Sequence, residues 1–250
     1  MGFAQAIFEQ CWPGWQQHFS QDARLRLGGV ALSALAGCMP EVARRRLSAE
    51  ELGQWSVFRQ EKRRTEWLAG RLAAKWTAAG LLGETAVEWQ DLVIRNEEDG
   101  RPYLAAGTHP GAPFISISHS GPLAVALAAN LPCGLDIQQP SAKIHTVRQR
   151  FASLEEETLL AAFLEGTFSE TERLTMLWAA KEAIRKMARI SPLLGLLEIR
   201  LLAAHGGRGV PQEPLALTFA SGRAEASCPP FVPVLSFFAD NLAWAMACPP

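Results

Sequence analysis

Hydrophobic residues recur at helical spacing in two long stretches of the chain. Across residues 61–79 (EKRRTEWLAGRLAAKWTAA), Trp67, Leu68, Leu72 and Trp76 make an apolar face between basic residues, which predicts an amphipathic helix. Across residues 170–189 (ETERLTMLWAAKEAIRKMAR), Leu177, Ala180, Ile184 and Ala188 fall on one stripe and predict a second. A Ser-x-x-Glu box precedes each: Ser48 with Glu51, and Ser153 with Glu156. In that pattern each residue satisfies a free backbone N–H at a helix start, so both boxes predict helix entries. Between and after the helices the pattern shortens to strand length. Residues 87–95 alternate, and NEEDGRPY follows as a glycine-centred turn. Residues 114–120 and 123–128 predict two strands joined at Gly121-Pro122 as a hairpin. A short strand begins at Leu135, and further strands are predicted at 196–202, 215–219, 232–239 and 242–247, the last two turning at Asp240-Asn241. Residues before about 45 carry no clear period.

Capped segment, long helix and strands therefore occur twice in the same order. That layout predicts an α+β protein of two pseudo-symmetric α/β halves, each a long helix packed on a small antiparallel sheet. The halves would span residues 1–130 and 131–250, and a site between them is a natural place for a ligand.

Composition narrows the function classes. The chain has 250 residues, 24 Lys and Arg against 25 Asp and Glu, and a formal net charge of −1. That balance gives no general electrostatic basis for nucleic-acid binding, although a local basic patch can still take a small phosphorylated ligand. The five cysteines, Cys11, Cys38, Cys133, Cys228 and Cys248, are scattered and include no CxxC pair, which points to a reducing cytoplasm rather than a disulfide framework or zinc site. The first residues, MGFAQAIFEQCWPGW, lack a basic region and place Glu9 within the apolar stretch, unlike a signal peptide; Ala6 breaks the myristoylation pattern. No apolar window reaches membrane-span length.

Several residues break the pattern in ways that chemistry would explain. Asp136 sits between Leu135 and Ile137 in a strand, where a carboxylate must be paired, hydrogen-bonded, metal-bound or capping the next turn. Lys181 falls inside an apolar helix stripe and must either snorkel to water or meet a partner. Trp178, Glu182 and Lys186 lie on a neighbouring line at i, i+4 and i+8; the plain alternative for the last two is an exposed helix pair worth about 0.3–0.5 kcal/mol. His119 ends the face of Ile115 and Ile117, so adjacent Ser118 points away and the two do not form a nucleophile–base pair. Without a GxSxG elbow, a serine hydrolase has little support. Basic residues gather at Arg59, Lys62, Arg63 and Arg64, with Arg71 and Lys75 further along the helix and Arg101 in the turn; they form either a solvated face or an anion pocket. Walker A, GxGxxG and HExxH patterns are all missing from the sequence.

Read in order, GRPY (100–103), ISISHSG (115–121), GLDIQ (134–138) and WAAKEAIRKM (178–187) resemble the motifs of the Sfp-type 4′-phosphopantetheinyl transferases; the last matches that family's W-x-x-K-E-[AS]-x-x-K helix. EWLAGRLAAK (66–75) is similar to the family's first long helix, and the likeness runs from about residue 44 to residue 202. The resemblance implies a two-lobed monomer that moves the phosphopantetheine arm of coenzyme A to a serine of an apo acyl or peptidyl carrier protein, releasing 3′,5′-ADP. No nucleic-acid or membrane partner is expected. Carried over by position, Asp136 and Glu182 would ligate Mg²⁺, with Mn²⁺ as the alternative, and Glu182 would also accept the serine proton. Lys186 and Lys181 would contact the pyrophosphate. His119, Ser118 and Arg101 would surround the 3′-phosphoadenosine, with Lys62, Arg63 and Arg64 near further phosphate contacts. Where many members carry Asp-x-Glu on the strand, this chain has Gln138, which would reach the metal through a water or its carbonyl and adds no charge. A degenerate member that binds coenzyme A or a carrier without turnover is the alternative.

Overall fold

The computed structural model describes residues 19–83, 88–105, 111–164, 166–211, 213–223 and 228–250. Cys11, Trp12, Trp15 and the first residue of the strand expected at 87–95 lie outside the described residues. The described chain divides into two compact units, Arg24–Leu131 and Pro132–Pro250, and residues 19–23 group with the second.

The first unit contains β1 (Leu25–Ala31), α1 (Met39–Arg46), α2 (Ala49–Ser56), α3 (Glu61–Leu82), β2 (Ile94–Asn96), β3 (Pro102–Leu104), β4 (Phe114–Ser120) and β5 (Leu123–Ala129). Its sheet is antiparallel in the order β1-β5-β4-β3-β2, and α3 lies across β1, β5 and β4. The apolar face of α3 explains the packing: Leu68, Ala69, Leu72 and Ala73 close on Ile115, Ala124 and Ala126 in a dry core. The helix ends at Gly83, whose φ of +74° is the left-handed cap that glycine adopts freely.

The second unit contains β6 (Gly134–Gln138), α4 (Lys143–Val147), α5 (Leu154–Leu164), α6 (Glu170–Met187), β7 (Ile199–His205), β8 (Leu215–Ser221), β9 (Phe231–Ala239) and β10 (Leu242–Ala247). Its sheet order, β6-β10-β9-β8-β7, repeats the first with each strand in the equivalent place, and α6 packs on β6, β10 and β9. Asp240 and Asn241, at φ 50° and 57°, supply the two left-handed residues of a tight hairpin turn.

The two capping boxes form as the spacing predicts, and each continues into a buried ion pair. Ser48 and Glu51 bond reciprocally at the start of α2; Glu51 also accepts from Lys75 Nζ at 2.6 Å and from the β2 backbone at Ile94 N, 3.1 Å. Ser153 and Glu156 do the same at α5, with Lys181 Nζ at 2.7 Å and the β7 backbone at Leu201 N, 2.8 Å. One glutamate in each unit thus ties a helix start, the long helix and a strand together.

Three expectations shift. Of residues 87–95 only the end is strand, β2, and the described part before it turns. Residues 196–202 begin with a 3-10 turn, Leu196–Glu198, because the Glu198 side chain accepts from Gly195 N; the strand starts at Ile199. β1 and α1 lie where the sequence carries no clear period.

Candidate active site

In the second unit, Asp136 lies mid-strand on β6 opposite Ala245 of β10, its side chain 9% exposed. Lys186, in the last turn of α6, donates to Asp136 Oδ1 at 2.7 Å and to Leu135 O at 2.9 Å. Glu182 stands one turn earlier on the same line of the helix, and its Oε1 accepts from Arg185 at 2.7 Å. Each carboxylate is therefore balanced by a cation from α6. Gly134 makes the approach possible: a Cβ there would stand 1.8 Å from Ala183 O, so only glycine lets α6 lie this close to β6. Gln138, two residues beyond Asp136 and so on the same face of β6, is half-buried and borders a cavity of about 470 Å³ with Lys143, Ile144, Thr175 and Trp178.

The donor set can be tested against metal chemistry. Asp136 and Glu182 offer hard carboxylate oxygens, and among the described residues no cluster of three or more His, Cys, Asp or Glu exists. That is too few for an all-protein zinc or calcium cage. It suits Mg²⁺, which binds one or two carboxylates and completes its shell with water and ligand phosphates.

In the first unit, α3 and β4 line a pocket of about 180 Å³ that contains Arg63, Glu66, Trp67, Arg71, Asn96 and His119. Arg71 is 5% exposed, lies 4.7 Å from the Trp67 ring centre and donates to Asn96 Oδ1 at 2.9 Å. Its buried Nε has no partner among the described residues. Burial lowers the Arg71 guanidinium to about 10, with Glu51 acting in the opposite direction. Arg63 Nη1 is 3.3 Å from His119 Nε2, and Glu66 Oε2 is 3.9 Å from His119 Nδ1. Arg101, in the turn leading to β3, pairs with Asp99 at 3.2 Å and also carries a buried Nη2 without a partner among the described residues. The pocket lining thus holds two guanidiniums, Arg63 and Arg71, and Arg71 keeps a donor unused among the described residues, which suits an anion; Arg101 lies beside Gly100 and Pro102 of the lining, outside it.

Arg63 and His119 meet, as do Asp136 and Lys186, with Glu182 one helical turn from Lys186. Lys62 is exposed on α3, 3.8 Å from Glu66, and is not part of the pocket lining. Three residues depart from expectation. Lys181 is 0% exposed and does not snorkel to water; Glu156 and Phe151 O hold its ammonium. Ser118 is buried on the face of β4 away from His119 and does not line the pocket, as strand alternation requires. Arg64 stacks on Trp55 at 4.1 Å instead of lining the pocket. Arg71, named among the basic residues of a candidate anion pocket, lines it, and Glu66 and Asn96 join it without having been singled out. The signal for Arg71 was present, since Arg63, Trp67 and Arg71 share one helical line at i, i+4 and i+8.

No protein-family model matches the chain. Among characterised proteins, the holo-[acyl-carrier-protein] synthase of Lactococcus lactis subsp. cremoris (strain SK11) is 40% identical over 83 residues, covering 32% of this chain and 70% of that one. The holo-[acyl-carrier-protein] synthase of Bacillus subtilis (strain 168) is 33% identical over 99 residues, covering 38% of this chain and 81% of its own. The chain belongs to the 4′-phosphopantetheinyl transferase family. A crystal structure of a holo-(acyl-carrier-protein) synthase from Bacillus anthracis str. Ames, in complex with CoA (3′,5′-ADP), aligns with a TM-score of 0.39 at 28% identity, over 42% of this chain and 92% of that one. The identity to family members thus extends over about a third of this transferase-family chain, while the layout of a long helix on a five-stranded antiparallel sheet occurs in it twice.

Proposed function

We propose that this protein is a two-unit, Sfp-type phosphopantetheinyl transferase that uses Mg²⁺ to move the arm of coenzyme A to a carrier-protein serine. Family membership supports the transfer itself. The observation that carries the placement of the chemistry is the Asp136–Lys186 pair with Glu182 one turn away, all on β6 and α6.

Asp136 and Glu182 would hold Mg²⁺, which supplies charge neutralisation at the pyrophosphate when bound. Lys186 moves from Asp136 toward the pyrophosphate and stabilises the charge that builds on the leaving group. Glu182 accepts the serine proton, directly or through one water, as the serine oxygen attacks the phosphorus that bears pantetheine. The phosphoanhydride bond to 3′,5′-ADP breaks, and the new phosphoester forms on the carrier. The first unit's pocket binds the 3′-phosphoadenosine through His119, Arg63 and Arg71, with Arg101 and Lys62 at its margin. Gln138 has a subsidiary role because a neutral amide adds no charge to the metal site.

Intact mass spectrometry of apo acyl and apo peptidyl carriers, each incubated with the protein, coenzyme A and Mg²⁺, tests this. We expect a gain of one phosphopantetheine, lost without Mg²⁺ and in Glu182→Ala. Asp136→Ala should lower the rate at least about 100-fold, while Gln138→Ala keeps measurable turnover. Equal losses in the last two would remove the subsidiary role of Gln138. No gain on either carrier, with coenzyme A still bound, would leave a binding protein without turnover.

A further inference from the structure

Arg185 stands in the last turn of α6, three residues after Glu182 and one before Lys186. Its Nη1 donates to Glu182 Oε1 at 2.7 Å, and this is the one side-chain hydrogen bond of either residue among the described residues. The two side chains are 27% and 20% exposed, so they are not the freely solvated i, i+3 pair of a helix surface. A helix C-terminus favours a cation in its last turn, which explains a positive charge at this position. It does not explain the rest of the side chain, whose Nε is buried and has no partner among the described residues. The neighbouring cations of α6 are tied more fully, Lys181 to Glu156 and Phe151 O, and Lys186 to Asp136 and Leu135 O. Arg185 thus covers a carboxylate of the candidate metal site while keeping donors in reserve, and a guanidinium fork suits the oxygens of a phosphate.

We propose that Arg185 couples metal binding to coenzyme binding: it covers Glu182 in the free protein and turns to the pyrophosphate when coenzyme A arrives. This rests on the reading of Asp136 and Glu182 as the metal carboxylates. A divalent cation on either oxygen of Glu182 would meet the guanidinium at close range, and like charges repel there. Displacing Arg185 alone forfeits its ion pair with nothing to replace it. A pyrophosphate replaces that pair with charge-assisted hydrogen bonds and leaves Glu182 open to the metal. Metal and coenzyme therefore favour each other's binding by more than direct ligation of the phosphates would give.

Titration of Mn²⁺ into the full chain, with free Mn²⁺ counted by electron paramagnetic resonance, tests this with and without saturating coenzyme A. Wild type should bind Mn²⁺ at least about 10-fold more tightly with the coenzyme, a factor common for linked sites. Arg185→Gln should bind Mn²⁺ more tightly than wild type when coenzyme A is absent, and the gain from the coenzyme should shrink by about 5-fold or more. Linkage requires the affinity for coenzyme A, read by calorimetry, to lose the same factor between metal-free and metal-loaded protein. Arg185→Lys keeps a charge at this place and should restore most of the coupling. A purely structural ion pair would lower the melting temperature of Arg185→Gln but leave the ratio of the two Mn²⁺ affinities unchanged, and an unchanged ratio overturns the role of Arg185. A ratio near unity in wild type does the same and leaves the metal site intact. No Mn²⁺ binding by wild type with coenzyme A present would overturn the metal reading itself.

Discussion

Lys75 and Lys181 each bury an ammonium completely, and each is answered by one glutamate, with two backbone carbonyls at Lys75 and one at Lys181. Burial pulls both lysines below their ordinary range, with the glutamate acting in the opposite direction. Removing one partner leaves a charge buried without compensation, at a cost of about 3–5 kcal/mol. Lys181→Ala should therefore lower the denaturation midpoint sharply without raising the KM for coenzyme A. A stable Lys181→Ala protein with a raised KM for coenzyme A would restore the ligand role that the sequence implied. The break in the apolar stripe at Lys181 was legible from the sequence; its partner was not, because Glu156 lies 25 residues away and reaches it only through packing. Cysteine reactivity follows the same logic. Burial pushes the Cys133 thiol up to about 12, against the pull of Arg189, and raises Cys248 as well, whereas Cys38 is partly exposed. Mass mapping after iodoacetamide at pH 8 should find Cys38 alkylated and Cys133 and Cys248 intact, since only the thiolate reacts. Rapid labelling of Cys133 would show that the second unit opens more readily than its packing allows.

At the level of elements, two glycines set how closely a long helix meets its first strand. On β6 a Cβ at Gly134 would meet backbone, Ala183 O at 1.8 Å and Met187 N at 2.8 Å. On β1 a Cβ at Gly28 would meet the Trp76 ring at 2.5 Å, which is a side chain and can turn aside. Gly134→Ala must therefore push α6 off β6 and part Lys186 from Asp136, whereas Gly28→Ala can be absorbed. Thermal melts should place the cost of Gly28→Ala at about 1–3 kcal/mol, the range for overpacking. Gly134→Ala should cost more and also abolish transfer; equal melts for the two would refute the backbone contact. These glycines also explain what the sequence hid. β1, Leu25–Ala31, reads LRLGGVA, and two adjacent glycines weaken strand character just where α3 needs room. The long helices, both capping boxes and both hairpins were legible because they depend on local spacing. The shortened β2 and the 3-10 start before β7 depend on bonds from Glu51 and Glu198, which no periodicity records.

Over the whole molecule, one layout has been used twice and divided its labour. With Lys75 set against Lys181, Trp76 takes the place of Glu182 and Gly80 that of Lys186. With the β4–β5 and β9–β10 hairpins set together, Ala126 matches Ala245, and their partners are Gly28 and Asp136. The first unit therefore has glycine, tryptophan and glycine where the second has the acid pair and its lysine, and the Trp76 ring lies over bare strand at Gly28. The reverse holds for the anion pocket. The same register puts Phe238, packed on Phe168, in the place of His119, and Leu177 in the place of Arg71. In the proposed function each unit supplies one half of the chemistry, and the equivalent positions of the other unit carry apolar groups or glycine. Under the proposed function, one metal site and one centre of turnover per chain are expected. Calorimetric titration of Mn²⁺ in the presence of coenzyme A should saturate at one equivalent per chain, and Asp136→Asn or Glu182→Gln should each remove it. Turnover in those variants should fall to background rather than by half, because Gly28 and Trp76 offer a metal nothing to bind. A second equivalent of metal, or half the activity remaining in Glu182→Gln, would mean that the first unit has retained a working site.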